Sequence, residues 1–297
     1  MKNKIVQSEH NFHLAGIIPI AGQKLDFDFP WHDCMQPIGK NYLAIEHSIV
    51  ECIYAGCETI WIVCPDEMQP LLRYRLGEYA NDITNSFMGQ PVPIYYVPIH
   101  PKDRYKRDCL GWSILYGAST AYWLSKSLSQ WVVPDKYYVS FPHGIYDLEP
   151  IKKIRKDISS FKPFFISHEN NTVKDNQYLS FTFDAKDFKA CRQVIRKEGT
   201  GIHTGYNNIT LPIEERWSAR FFDLKKIFAP VNKINANFLS ISWYCNIDSW
   251  NGLCKYLASQ KRKSIERPSK TILKYRETNP IGVNEDEQRK RTGKTGY

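Results

Sequence analysis

Few residues in this chain are spaced for chemistry. Nothing reads as a Ser/His/Asp or Cys/His triad, in which a base would activate a side-chain nucleophile. The eight cysteines, at 34, 52, 57, 64, 109, 191, 245 and 254, never form Cys-x-x-Cys, and most sit inside apolar runs. They read as small buried hydrophobes, with neither a zinc site nor a disulfide framework expected. Pro142-His143-Gly144 follows a short apolar run at 137–141, and ligands of α/β proteins bind where such strands end. Gly22 follows the first apolar run and is either a plain turn residue or a point of close backbone approach. Asp26-Phe27-Asp28 has the spacing of a paired-carboxylate metal motif, but it falls in the loop after the first strand. Lys102, Arg104, Lys106 and Arg107 make a basic loop able to meet phosphate, although a solvated loop is the commoner outcome. His168, Glu169 and Asn170 lie on a polar loop where sugar hydroxyls would be read.

The elements that must position these residues alternate between short apolar runs and helical periodicities, which predicts βαβ units and a largely parallel sheet. Residues 14–20 form the first strand. A helix is expected over 41–55, where Tyr42, Ile45, Ile49 and Ile53 recur at helical spacing and Gly56 supplies the stop. The run 58–64 reads as a central strand buried on both faces. A helix is then expected from Pro65-Asp66 to Tyr79, an edge or irregular strand at 94–98 with its flanking prolines, and a long helix over 110–130. A fourth strand at 137–141 precedes strands at 163–167 and 179–183, an antiparallel excursion. Helices at 186–197 and 214–228, a strand at 238–243 and a helix at 249–258 complete the pattern, with Asp248 placed to cap that last helix. The fold class is therefore α/β: a three-layer, Rossmann-like, mostly parallel sheet with helices on both faces and a small antiparallel excursion.

At 297 residues, 42% hydrophobic and 14% aromatic, the chain has enough apolar material for a substantial core. The net charge of +9 is uneven, because residues 259–297 carry eleven Lys/Arg against five Asp/Glu. The expected organisation is one α/β domain over 1–258 and a basic tail or arm over 259–297. Its clusters, 261–263 and 289–291, lack interleaved aromatics apart from Tyr275, so specific nucleic-acid readout is not expected. Contact within a homo-oligomer or larger assembly is the role such an arm suggests. The first apolar run is too short for a signal segment or a membrane span, and the chain reads as cytoplasmic.

Four segments, in order, resemble the sugar-phosphate nucleotidyltransferases. Gly16-Ile-Ile-Pro-Ile-Ala-Gly22, then Met35-Gln-Pro-Ile-Gly-Lys40 and the helix with Ile45-Glu46-His47, are similar to the family's opening strand, phosphate loop and first helix. Residues 55–63 look like its helix end, glycine and second strand. Cys109-Leu-Gly-Trp-Ser-Ile-Leu115 is similar to the start of the helix that touches the base. Trp243-Tyr-Cys-Asn-Ile-Asp-Ser-Trp250 resembles the late stretch that carries a metal-binding aspartate. The resemblance implies a nucleoside triphosphate and a sugar phosphate as substrates, with pyrophosphate released. It implies nucleotide contacts from Ala21, Gly22, Gln23 and Gly111. Lys24 stands in for the loop arginine, and Asp147 and Asp248 are the candidate ligands for Mg²⁺. Lys24 and Asp248 are the residues assigned to catalysis. Because the sugar phosphate is itself the nucleophile, such catalysis needs positioning and electrostatics, not a protein nucleophile.

The chain departs from that pattern at costly positions. The phosphate loop is short, His32-Asp33 replaces a Pro-Lys pair, and His143 stands where the family has a metal-binding aspartate. These departures motivate a second reading, a non-catalytic scaffold that uses the fold for protein contacts. A third, a GT-A-like glycosyltransferase, rests on Asp26 and Asp28.

Overall fold

The computed structural model describes residues 12–21, 32–82, 89–99, 110–129, 132–198, 224–268 and 272–273. Strand β1 (Leu14–Pro19) is buried at every position. That is why LAGIIP carries no polar alternation. Two short antiparallel strands, β2 (Pro37–Gly39) and β3 (Tyr42–Leu43), lead into helix α1 (Ala44–Ala55). The Glu46 carboxylate accepts the Leu43 backbone N–H at 2.9 Å and satisfies one of the free donors at the start of α1. At its other end Gly56 adopts φ 92°, a left-handed conformation that a side chain would strain. Strand β4 (Thr59–Pro65) then pairs parallel with β1.

After α2 (Gln69–Leu76) come β5 (Tyr79–Asp82) and β6 (Gln90–Ile99). Helix α3 (Leu110–Leu128) recrosses the sheet to β7 (Lys136–Val139), which pairs with the opposite side of β1. Next are β8 (Gly144–Ile145), α4 (Glu149–Lys153), α5 (Arg155–Ile158), β9 (Phe164–Ser167), β10 (Phe181–Asp184) and α6 (Ala185–Glu198). The remaining elements are α7 (Leu224–Ile227), β11 (Asn237–Ser240), β12 (Cys245–Asn246) and α8 (Trp250–Ala258).

The main sheet has eight strands in the order β11-β9-β10-β7-β1-β4-β6-β5. Its centre, β7-β1-β4-β6, is parallel, whereas β10 and β5 run antiparallel to β7 and β6. The expected mostly parallel sheet with an antiparallel excursion is what the chain forms. Successive residues of β1 feed two separate apolar clusters, Leu14 and Ile18 on one face, Ala15 and Ile17 on the other. Helices α1, α2, α4, α5 and α8 cover the first cluster and α3, α6 and α7 the second, which makes the three layers. Burying each of Ile45, Ile49 and Ile53 on α1 contributes about 1.5–3 kcal/mol.

The strand expected over 238–243 ends at Ser240, and the structure departs further from the sequence expectations in three places. Helix α1 begins at Ala44, because Tyr42 and Leu43 pair with β2. The helix expected to reach Tyr79 stops at Leu76, where Gly77 has φ 75° and its N–H returns to the Arg73 carbonyl at 3.0 Å. The true edge strand is β5, so the proline-bearing β6 lies one place inside the edge. Residues 214–223 of the helix expected over 214–228 lie outside the described residues.

The described part of the basic tail packs on the body. Ile265 is buried, and Arg267 comes within 3.6 Å of the buried Glu46 carboxylate. Leu273 forms a bridge with Ala80, and the Asn81 N–H donates to the Ile272 carbonyl at 2.9 Å. Residues 274–297 lie outside the described residues. Among the described residues no helix is long and apolar enough to cross a membrane.

Candidate functional site

The chain leaves β1 towards β4 on one side and returns through α3 to β7 on the other. The edge outside the carboxyl ends of β1 and β7 is thus a topological switch point, the place where open α/β sheets bind ligands. Ile20, just past β1, is held by its N–H to the Val63 carbonyl at 2.9 Å, and the next residue, Ala21, is fully buried. Gly22, Gln23 and Lys24, and likewise Asp26, Asp28 and the 102–107 basic loop, lie outside the described residues.

Beyond β7 the chain is pinned by the Ser140 N–H to the Ile17 carbonyl at 3.1 Å and turns through Phe141-Pro142-His143. Strand β8 then pairs antiparallel with β12, placing Gly144 opposite Asn246. The Ile247 N–H donates to the His143 carbonyl at 2.9 Å. The late Asn246-Ile247-Asp248 stretch therefore lies against the turn that follows β7, a juxtaposition of segments about a hundred residues apart. Gly144 is required by the closeness of this packing, since a Cβ there would stand 2.0 Å from the Tyr178 carbonyl oxygen. Gly252 is required likewise, 2.1 Å from the Asn246 carbonyl oxygen.

His143 is not a solvated turn residue. It is 1% exposed, and its Nε2 lies 3.0 Å from Asp33 Oδ2. The other carboxylate oxygen, Oδ1, lies 2.6 Å from His32 Nδ1 and accepts the Cys34 N–H at 2.8 Å. Burial by itself would raise the Asp33 pKa, but His143 and then His32 outweigh it and hold the carboxyl well below the usual range. Asp33, of the His32-Asp33 pair that replaces Pro-Lys, is a buried carboxylate held between two imidazoles. Donor atoms of His32, Asp33 and Cys34 lie within 4.8 Å of one another. The cluster is not an open metal site: the carboxylate is already engaged on both oxygens, and burial followed by the Asp33 charge pushes the Cys34 thiol up.

The two proposed metal ligands are not brought together. In the antiparallel β8-β12 register, Asp147 and Asp248 leave the ladder in opposite directions. Asp147 is exposed, its Oδ1 accepts the Glu149 N–H at 3.0 Å at the start of α4, and it lines a separate cavity with His47 and Arg267. Asp248 stays beside the His143 turn, half-buried. It is not the cap of α8, because Ser249 takes that role, its Oγ accepting the Gly252 N–H at 3.2 Å. The Asp248 carboxylate has no hydrogen bond or ion pair among the described residues, while its backbone N–H is held by Asn246 Oδ1 at 3.0 Å. Mg²⁺ is commonly held by one or two carboxylates, with phosphates and water completing its oxygen shell. Asp248 fits that requirement as a single free carboxylate; Asp33 does not.

Gly111 lies in the first turn of α3, buried against α7, where a Cβ would stand 2.3 Å from Ile227 Cδ1. Helix packing accounts for this glycine without a nucleotide. Tyr178, whose ring centroid is 5.5 Å from that of His143, and Tyr244, whose hydroxyl accepts the Tyr178 N–H at 3.1 Å, form an aromatic wall beside the turn. His168 continues it, 5.9 Å from the Tyr244 ring, next to a tight turn in which Glu169 and Asn170 both have positive φ. Nothing in the sequence marks these tyrosines, since an aromatic residue carries no signal distinguishing a site wall from core.

No family model matches the chain, and no curated protein matches it. Solved structures do. A protein described as a glucose-1-phosphate thymidylyltransferase from Bacillus anthracis, in complex with sucrose, superposes with TM-score 0.55 at 11% identity, covering 87% of this chain and 98% of its own. UDP-glucose pyrophosphorylase complexed with UDP-glucose gives 0.52 at 15% identity, covering 84% of this chain and 99% of its own. A nucleoside-diphosphate-sugar pyrophosphorylase from Vibrio cholerae RC9 gives 0.51 at 9% identity, covering 82% of this chain and all of that one. The fold is nucleotidyltransferase-like.

Proposed function

We propose that this chain transfers a nucleotidyl group from a nucleoside triphosphate to a sugar phosphate at the carboxyl edge of β1 and β7. The observation that carries this reading is the packing of the Asn246-Ile247-Asp248 stretch against the His143 turn. It supports the reading because the stretch that carries the unpaired Asp248 lies against the turn that follows β7. In the reaction a phosphate oxygen of the sugar phosphate attacks the α-phosphorus, and the bond from that phosphorus to the bridging oxygen of pyrophosphate breaks. No protein nucleophile or redox partner is needed. Lys24, with backbone N–H groups of 21–23, offsets the charge that develops on pyrophosphate. Asp248 is the residue that would hold Mg²⁺, which supplies Lewis-acid stabilisation of the phosphate oxygens when bound. Asp33 fixes His32 and His143 as the rigid back of the site, and Tyr178 and Tyr244 shield it from water. Residues 1–258 form the catalytic unit in this reading, and the basic tail over 259–297, of which 259–268 and 272–273 pack on the body, is an arm for assembly contacts.

The test is pyrophosphate release with Mg²⁺ across the four nucleoside triphosphates and a set of sugar 1-phosphates. Turnover is expected with one pairing, and Asp248→Asn is expected to lower it about 100-fold. Release no higher than a heat-denatured control with every pairing would remove the enzymatic reading.

One observation favours a non-catalytic scaffold: Asp33, the carboxylate that faces His143 across the turn, is consumed by its histidines and is not free to hold a metal. The scaffold reading predicts no stabilisation by nucleotide. A ligand at a hundredfold excess over its Kd would add about 2.7 kcal/mol and raise the melting temperature.

A further inference from the structure

A cavity of about 490 Å³ lies at the opposite end of the sheet, between the second half of α3 and α6. Its floor includes Tyr137 at the start of β7, so it sits at the amino edge and shares no described residue with the candidate site at the carboxyl edge. One wall, from α3, presents Tyr122 and Trp123, and Trp123 is 63% exposed despite its size. The other wall, from α6, presents Phe188 and three cations, Lys189, Arg192 and Arg196.

The charges are arranged, not scattered. Lys189, Arg192 and Arg196 follow i, i+3, i+7 spacing, which puts them in one row along the helix, spanning about 10 Å. Each is exposed, and none has a salt bridge among the described residues. No carboxylate lines the cavity among the described residues. Together the row of cations, the half-buried rings of Tyr122 and Phe188 and the exposed ring of Trp123 offer a surface complementary to a ligand that is both anionic and apolar. The volume is that of a small-molecule site, for which roughly 300–1,000 Å³ is typical. A protein partner would need a far broader face than one cleft between two helices.

We propose that this cavity binds a small aromatic anion, its ring against Tyr122, Trp123 and Phe188 and its acid group on Arg192 and Arg196. The ring supplies burial and the guanidinium groups supply orientation, by charge-assisted hydrogen bonds to a carboxylate, sulfonate or phosphate. The site is independent of nucleotidyl transfer.

Two dyes with the same rings separate the contributions: anilinonaphthalene sulfonate and its uncharged parent, anilinonaphthalene. Fluorescence titration of the intact chain is expected to show sulfonate binding at one site. The Arg192→Gln/Arg196→Gln variant, which removes both charged donors, is expected to weaken the sulfonate at least about tenfold and to leave the parent dye unchanged. Ala185→Trp fills the cavity from an exposed position and is expected to abolish binding of both, with circular dichroism and melting temperature unchanged. The proposal is overturned if the intact chain does not bind the sulfonate, or if the double arginine variant binds it as tightly. It is equally overturned if both dyes weaken together in that variant, or if Ala185→Trp leaves binding in place.

Discussion

Two buried carboxylates, Glu51 inside α1 and Asp33 at the carboxyl edge, are satisfied in opposite ways. Glu51 is fully buried and accepts hydroxyl hydrogen bonds from Tyr138 at 2.6 Å, Ser140 at 2.5 Å and Tyr146 at 2.7 Å. Tyr146 in turn meets Ser180 at 2.8 Å. Burial pushes the Glu51 carboxyl up, and the hydroxyls only partly offset it. Asp33 is nearly as buried, yet its histidine partners keep it low. The first arrangement is a closed hydroxyl network tying α1 to β7 and the loops beyond it. The second fixes charged or chargeable groups at a ligand edge, next to the unpaired Asp248. A buried acid surrounded by neutral donors builds the fold; one held by bases preserves an electrostatic feature at a site.

The contrast is tested hardest at Glu51. Glu51→Ala strands three hydroxyls in the core, and urea unfolding is expected to show a loss of about 4 kcal/mol. Asp33→Asn removes the charge shared by His32 and His143 and is expected to cost about 3 kcal/mol in the same measurement. A near-neutral result for Asp33→Asn would mean that the two carboxylates differ less than their partners suggest.

His47, one turn before Glu51, extends the contrast through pH. Burial depresses its pKa from 6.5 to about 4. Between those values the unfolded chain binds a proton that the folded chain refuses, so stability falls as pH drops through that window, by up to about 3 kcal/mol. Urea midpoints at neutral pH and near pH 4.5 measure the drop, and His47→Gln is expected to reduce it. The smallest effect belongs to Asp248→Asn, which touches no described partner. Its stability change is expected to stay within about 0.5 kcal/mol even as turnover falls.

Much of the fold could be read from the sequence because its signals are local. The unbroken apolar runs of β1 and β4, the helical spacing of Ile45, Ile49 and Ile53, and the glycine stop at 56 each carry their meaning within a dozen residues. Strand β5 was not legible. Tyr79-Ala-Asn-Asp82 is polar and short, and it is a strand only because β6 and Leu273 pair with it. The site was half legible. The glycine-flanked turn at 143 and the late aspartate were visible, but the Asp33–His143 contact joins positions 110 residues apart. No spacing rule reports such a pair. Lys136 is a further case: it heads an apolar strand, and its ammonium donates to the carbonyls of Ile158, Ser160 and Lys162 at 2.7–2.9 Å. Nothing near it in sequence foretells those acceptors.

The bridge from Leu273 to Ala80 bears on what the rim of the sheet offers to other chains. An outermost strand offers unsatisfied amides to any neighbour able to dock on it, and here the chain's own later residues take up part of that offer. Shortening the polypeptide ahead of Ile272 would uncover that rim and invite strand-to-strand self-association, a hazard unrelated to whatever the basic extension does for a living cell.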